Sequence, residues 1–268
     1  MNLKDITIGQ YFPGDSVIHR MDGRFKLVLS FLFIILLFLA DNFIALTAPC
    51  VFVIMAYAVS EVSFVFIIKN IKPILPILIF TSILNLFFIE GNTVLLDLGF
   101  AVIYFEAAYT CVFVIVRIIA LITGMSLVTY TTSPIMLTDA IESLLSPLKR
   151  VKFPVHELAM MMTIALRFIP TLIEETDRIM SAQKARGANL DVGGLTKRAK
   201  ALIPVLIPLF ISAFKRASEL AVAMECRCYR GGEGRTKMKQ LKSGRIDYFV
   251  SLLLFFVFGL VILNNIVF

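Results

Sequence analysis

Runs of about 16 to 22 mainly apolar residues recur along this chain, and a helix needs about 20 to cross a hydrocarbon core roughly 30 Å thick. Five are readable, near residues 25–40, 43–60, 71–89, 107–130 and 248–268. Composition agrees, because 59% of the 268 residues are hydrophobic and only 17% are charged, far from the soluble average. Backbone polar groups in lipid must be satisfied within the segment, so spans of this length predict helices. The expected fold is an all-α, polytopic membrane protein. Only Asp41-Asn42 separates the first two runs, which read as a tight hairpin, with one long bent helix as the alternative.

Polar residues fill positions 1–26 and no small-residue cleavage site follows the first run, so that run is expected to remain as a helix. Lys and Arg set the orientation, since positively charged loops stay cytoplasmic. Lys4, Arg20, Arg24 and Lys26 precede the first span, and Lys69 and Lys72 lie between the second and third; both places are expected inside. The turn at Asp41 and the stretch 90–106 carry only Asp41, Glu90, Asp97 and Glu106, and are expected outside. Residues 133–245 hold 19 Lys plus Arg against 10 Asp plus Glu, a surplus of 9 that exceeds the whole chain's +7. This block is expected in the cytoplasm, which divides the chain into a four-span region at 1–132, a cytoplasmic region at 133–244 and a last span at 245–268.

That block is too long for a loop and too apolar for a disordered linker. Over 154–187, Leu158, Met161, Met162, Ala165, Phe168, Ile169, Leu172 and Ile173 keep the three-or-four spacing of one helical face, with Pro170 as a bend. Over 194–229, Leu202, Ile203, Leu206, Ile207, Phe210, Ile211, Phe214, Leu220, Ala221 and Met224 keep the same rhythm, with Pro204 and Pro208 as kink points. A shorter helix over about 134–148 precedes both, and Pro147 and Pro154 then break the chain. The expectation is a cytoplasmic layer of two or three crossing amphipathic helices.

Each long helix ends on an arginine: Arg186 in Gln183-Lys184-Ala185-Arg186-Gly187, and Arg227, 41 residues later, in Glu225-Cys226-Arg227-Cys228. The ordinary reading is capping, since Gly187 suits a left-handed residue and the basic side chains complement the negative end of the helix dipole, each by about 0.3–1 kcal/mol. Repetition favours a second reading. A planar guanidinium at a helix end can enter a partner's groove and hold a carboxylate through two parallel hydrogen bonds, which lysine cannot reproduce.

The stretches Thr131-Thr132-Ser133-Pro134, Pro154-Val155-His156-Glu157-Leu158-Ala159, Ala165-Leu166-Arg167-Phe168-Ile169-Pro170 and Ala182-Gln183-Lys184-Ala185-Arg186-Gly187 resemble the transmembrane scaffold subunit of energy-coupling factor (ECF) transporters, the EcfT family. So do Ala223-Met224-Glu225-Cys226-Arg227-Cys228-Tyr229-Arg230-Gly231-Gly232, Gly234-Arg235-Thr236, and Ser16-Val17-Ile18-His19-Arg20 with Arg24-Phe25-Lys26-Leu27. The resemblance implies a chain without catalysis, joining two ATP-binding-cassette ATPases to a small substrate-binding membrane protein, the S component. Cytoplasmic coupling helices would pass the ATPases' motion to that partner for uptake of vitamins or other micronutrients. It implies no cofactor and no nucleic-acid partner; lipid surrounds the spans in the cell membrane. Each Ala-Arg-Gly arginine of the family contacts acidic residues in a groove of one ATPase, which carries the docking role onto Arg186 and Arg227, with Ala185, Gly187, Cys226 and Cys228 flanking them. The second motif departs from the family by reading Cys-Arg-Cys. Cysteine takes a left-handed turn less readily than glycine, so closure of that helix is expected to shift to Gly231-Gly232.

Other chemistry finds little support. Gly231, Gly232 and Gly234 with Arg235-Thr236-Lys237 lack the order of a phosphate-binding loop. His19 and His156 have no partner ligands at metal spacing, and His156 is expected to cap or pack. Cys226 and Cys228 fall in a reducing compartment, while Cys50 and Cys111 read as small hydrophobes within spans. Arg117, amid the apolar stretch 112–127, costs at least about 2.5–3.5 kcal/mol near a helix centre unless paired. It is expected to snorkel to the outer interface or to pair with Glu106 or a partner's polar atom. Met160, Met161 and Met162 offer an adaptable surface for different partners, or ordinary packing. A stand-alone secondary transporter is the alternative function, opposed by the scarcity of polar residues within the spans and the lack of paired half-helices. A membrane-bound enzyme is a third, with no acid–base pair or nucleophile arrangement behind it.

Overall fold

The computed structural model describes residues 11–97, 102–188, 194–232 and 241–267. They form nine α-helices: α1 (Gly23–Leu39), α2 (Phe43–Ser60), α3 (Val65–Ile71), α4 (Leu75–Phe88), α5 (Phe105–Thr131), α6 (Pro134–Leu145), α7 (Val155–Ala185), α8 (Leu195–Cys226) and α9 (Arg245–Val267). A two-stranded antiparallel hairpin, β1 (Val94–Asp97) with β2 (Val102–Tyr104), joins α4 to α5, and a 3-10 turn follows α6 (Ser146–Val151). The protein is all-α and polytopic. By length and composition α2, α5, α7, α9 and the stretch Lys200–Cys226 of α8 could each cross a membrane. The pair α3 and α4, bent by 59°, adds a sixth candidate. The bend falls at Lys72-Pro73-Ile74, where proline has no N–H for the helical ladder, so the run expected over 71–89 forms the second arm of a bent pair whose first arm begins at Val65.

The chain divides into two compact units, one of residues 9–140 with 241–268 and one centred on 141–240, so α6 begins in the first and ends in the second. In the first unit, α1, α2, α5 and α9 bury Leu36, Leu37, Leu46, Tyr57, Tyr130, Leu254 and Val261 almost completely. The rings of Phe33 and Phe52 lie 6.2 Å apart, which requires α2 to fold back along α1 as a hairpin. Helices α1 and α5 run antiparallel, and each closes the other's end. Lys26 Nζ, 4% exposed as a residue, donates to the Thr131 carbonyl at the end of α5 at 2.7 Å, and Arg117 of α5 donates to the Ala40 carbonyl that ends α1. Both cations therefore satisfy terminal carbonyls that a helix leaves open, at the negative end of its dipole.

Arg117 is thus held inside the protein. Its guanidinium lies 4.5 Å from the centre of the Phe113 ring and 5.9 Å from that of Phe38, a cation–π arrangement favoured away from water. Glu106, expected as a possible partner, is engaged elsewhere: its carboxylate accepts from Asn92 N and from Thr93 N and Oγ1, anchoring the hairpin between α4 and α5. Midway between the two caps, Gly124 faces the buried Phe33, where a Cβ would stand 2.5 Å from Cε1 of the ring.

Helix α9 lies parallel to α1 and is tied to it at both ends. Asp247 Oδ1 accepts from Asp22 N at 3.0 Å, and Asn265 Nδ2 donates to the Leu39 carbonyl and to Asp41 Oδ2. Asp22 caps α1 through Arg24 N and pairs with the Arg24 guanidinium at 2.7 Å. Burial pushes the Asp22 pKa up, but the hydrogen bonds and charge of Arg24 outweigh it and hold the carboxyl below its ordinary value. His19 is bound locally, accepting from Ser16 Oγ at Nδ1 (2.6 Å) in the tautomer that donates from Nε2 to the Phe12 carbonyl (3.0 Å).

Two outcomes follow from this packing. Gly124→Val is expected to destabilise the protein by about 1–3 kcal/mol through overpacking, with part recovered by adding Phe33→Ala, as read by thermal unfolding in detergent. A depressed carboxylate pKa contributes stability above the unfolded-state value, about 3.9 for aspartate, that is lost as pH falls through the folded-state value. The Tm difference between wild type and Asp22→Asn should therefore be full at neutral pH and vanish in acid below that range.

Candidate functional site

Helices α7 and α8 pack antiparallel within the second unit. Glu175 of α7 pairs with Arg216 of α8 at 3.2 Å, and eight residues further along α7, Gln183 meets Pro204, twelve residues back along α8. Ile164, Phe168 and Leu172 face Ala217, Leu220 and Met224 around a small apolar cleft. Helix α7 runs through Pro170, and α8 through Pro204 and Pro208. Pro208 offers no N–H to the carbonyl four residues before it, that of Pro204. Gln183 Nε2 donates to this freed carbonyl at 3.4 Å, one turn before Arg186.

Both helices end by the same motif. Arg186 is the C-cap of α7 (φ −83°, ψ 8°), Gly187 follows with φ +84°, and N–H bonds run from Gly187 to the Lys184 carbonyl (3.0 Å) and from Ala188 to that of Gln183 (3.0 Å). Arg227 is the C-cap of α8 (φ −91°, ψ 13°), Cys228 follows with φ +54°, and the bonds run from Cys228 to Glu225 (2.8 Å) and from Tyr229 to Met224 (3.1 Å). Each is a Schellman closure. The expectation that α8 would close at Gly231-Gly232 is therefore corrected: Cys228 takes the left-handed position itself, and the paired amides hold it there. Arg186 and Arg227 occupy equivalent positions on two equivalent turns, and both are exposed, as are Ala185, Gly187, Cys226 and Cys228. Because the helices are antiparallel, the two arginines lie at opposite ends of the pair. From Pro204, beside the α7 end, to Arg227 is 23 residues, on the order of 35 Å along a straight helix.

The segment after Arg227 returns to the start of α7. A Cβ on Gly232 would stand 2.6 Å from Cδ2 of His156, and His156 Nδ1 lies 3.1 Å from Glu142 Oε1 near the end of α6. His156 thus packs and pairs, joining the α8 end to α6. The stretch Gly234-Arg235-Thr236-Lys237 lies outside the described residues. Among the described residues, no three His, Cys, Asp or Glu side chains converge as metal ligands.

A family model described as the cobalt transport protein CbiQ matches residues 14–238. The chain is 53% identical over 249 residues to the energy-coupling factor transporter transmembrane protein EcfT of Ruminiclostridium cellulolyticum, covering 93% of each chain. It is 53% identical over 245 residues to that of Thermosediminibacter oceani (91% and 92% covered) and 47% identical over 239 residues to that of Bacillus subtilis (89% and 90%). The chain belongs to the EcfT family. It is a transmembrane component of an energy-coupling factor transporter.

Sequence reasoning placed both EcfT arginines on helix ends but missed what braces them. The spacing of Pro204 and Pro208 could have pointed to the open carbonyl that Gln183 reaches. Nothing local announces that Gly232 must be small to seat His156, since that pairing spans 76 residues. The closure of α8 gives a direct test. Cys228→Gly should remove the cost of a side chain in the left-handed region, about 1 kcal/mol, and slow hydrogen exchange of the last turn of α8. Gly187→Ala should do the reverse at the end of α7.

Proposed function

We propose that this chain is the coupling subunit of an ECF-type importer. It links two cytoplasmic ABC ATPases to one substrate-binding S component, and itself carries no catalytic step. The observation that carries this reading is the duplicate closure of α7 and α8, which sets one exposed arginine at each end of an antiparallel pair. Tips separated by tens of ångströms suit two sockets, one in each ATPase, better than one. In each socket the guanidinium would meet a carboxylate in a two-point hydrogen bond. ATP binding and hydrolysis would change the distance between the sockets, and α7 and α8 would pass that movement on.

The surface available to an S component supports the same reading. Met161 and Met162 on α7, and Leu206, Phe210 and Phe214 at four-residue steps on α8, are exposed apolar side chains. Exposed methionines repack around different shapes, which fits a scaffold serving exchangeable binding subunits for vitamins or other micronutrients. The surplus of basic residues over 133–245 supports a cytoplasmic position for this layer, and Lys4, Arg20, Arg24 and Lys26 support the same side for the amino terminus, with the remaining spans in the cell membrane.

Removing one partner of a buried, hydrogen-bonded charge pair costs about 2–5 kcal/mol. Arg186→Ala and Arg227→Ala should each weaken ATPase docking by that order, and the double variant should abolish ATP-driven uptake in reconstituted vesicles. Arg→Lys at either tip should recover little, because an ammonium cannot reproduce the two-point bond. Uptake at the wild-type rate by the double alanine variant would refute the proposal.

A further inference from the structure

The membrane unit encloses a cavity of about 450 Å³ between α1, α2, α5 and α9, within the range of roughly 300–1,000 Å³ that binds small molecules. Its floor is the Phe33–Gly124 contact, and its walls are almost wholly apolar, among them Leu29, Val53, Ala56 and Leu253. Met55, Val59 and Phe249 line it and are 53%, 46% and 66% exposed, so it opens sideways on the face that the apolar helices turn to the bilayer.

Its charge is one-sided. Lys26 and Arg245 line one end, and no acidic residue lines any of it. The Lys26 ammonium is held against the Thr131 carbonyl, as described. Arg245 is exposed and has no hydrogen bond or ion pair with any described residue. It is the first residue of α9, whose positive end is already met by Asp247 accepting from Gly244 N at 2.7 Å, so the arginine's own charge is what the mouth offers. The charge of the buried Asp247 acts on Lys26, so the cation left for a ligand at the mouth is Arg245, and an apolar slot open to lipid beside that arginine is complementary to an amphiphile with an acidic head.

We propose that this cavity binds an anionic phospholipid, one acyl chain lying between α2 and α9 and the phosphate resting on Arg245. The second chain lies outside the lateral opening, in the bilayer. An apolar void left empty forfeits dispersion contacts on every wall, and a chain from the surrounding lipid restores them. The arginine selects the head, and the slot fixes the chain.

The protein contains no tryptophan, so Phe249→Trp places a single reporter one turn from Arg245. This variant of the full chain is reconstituted in mixed vesicles in which either the phosphatidylglycerol or the phosphatidylcholine carries brominated chains. Brominated phosphatidylglycerol should quench with about fivefold higher apparent affinity, the order expected for one arginine near an anionic head. Arg245→Gln, an exposed change that leaves the packing intact, should abolish that preference. Ala56→Phe, which fills the slot, should reduce quenching by both lipids. Equal quenching by the two lipids, a preference that survives Arg245→Gln, or stronger quenching by a brominated free fatty acid than by phosphatidylglycerol would each overturn the proposal.

Discussion

Antiparallel α1 and α5 close each other's ends, and this pairing sets the register of the membrane unit. Lys26 reaches the last carbonyl of α5, and Arg117 reaches the carbonyl that ends α1. Fourteen residues separate Lys26 from Ala40 and fourteen separate Arg117 from Thr131, about 21 Å on either helix. Phe33 and Gly124 stand at the seventh residue of each interval and make the close contact between them. A slip of one helical turn would leave two largely buried cations and two sets of terminal carbonyls without partners, which is costly for any polar group taken out of water. Helix α9 adds a parallel clamp: Asp247 meets Asp22 at the start of α1, and Asn265, eighteen residues later, meets the carbonyl of Leu39, seventeen residues after Asp22.

The same logic explains why charged residues interrupt apolar runs that would otherwise look like unbroken hydrocarbon. Lys26 and Arg117 each stand where a neighbouring helix stops. A single-sequence reading prices such a residue against lipid and so expects snorkelling, because the stopping point of the neighbour is tertiary information. Length and hydropathy revealed α1, α2, α5 and α9 to within a few residues, since those properties are local. They did not reveal the break at Pro73, because the apolar run resumes at Ile71 and, Lys72 aside, continues through Pro73 into α4 without a change in hydropathy.

The α7–α8 pair shows the converse, two different sequences made to adopt one geometry. Ala185-Arg186-Gly187 and Cys226-Arg227-Cys228 end their helices with the same paired amides and the same left-handed residue, although only the first has glycine there. The hydrogen bonds of the closure outweigh the strain of a cysteine side chain at φ +54°, which is why the sequence rule moved the helix end three residues too far. What the pattern did disclose was the amphipathic rhythm of both helices and the arginine at each end. The long-range seats of Gln183 on Pro204 and of Gly232 on His156 had no local signature.

The claim on which the account rests is that Arg186 and Arg227 hold the ATPases to this chain. The most direct test is the composition of the complex isolated from native membranes in mild detergent, by mass spectrometry, for wild type and for a chain carrying Arg186→Glu and Arg227→Glu together. The account predicts two ABC ATPases and a small substrate-binding membrane protein with the wild type, and loss of the ATPases from the charge-reversed chain. ATPases retained at wild-type stoichiometry on the charge-reversed chain would contradict it.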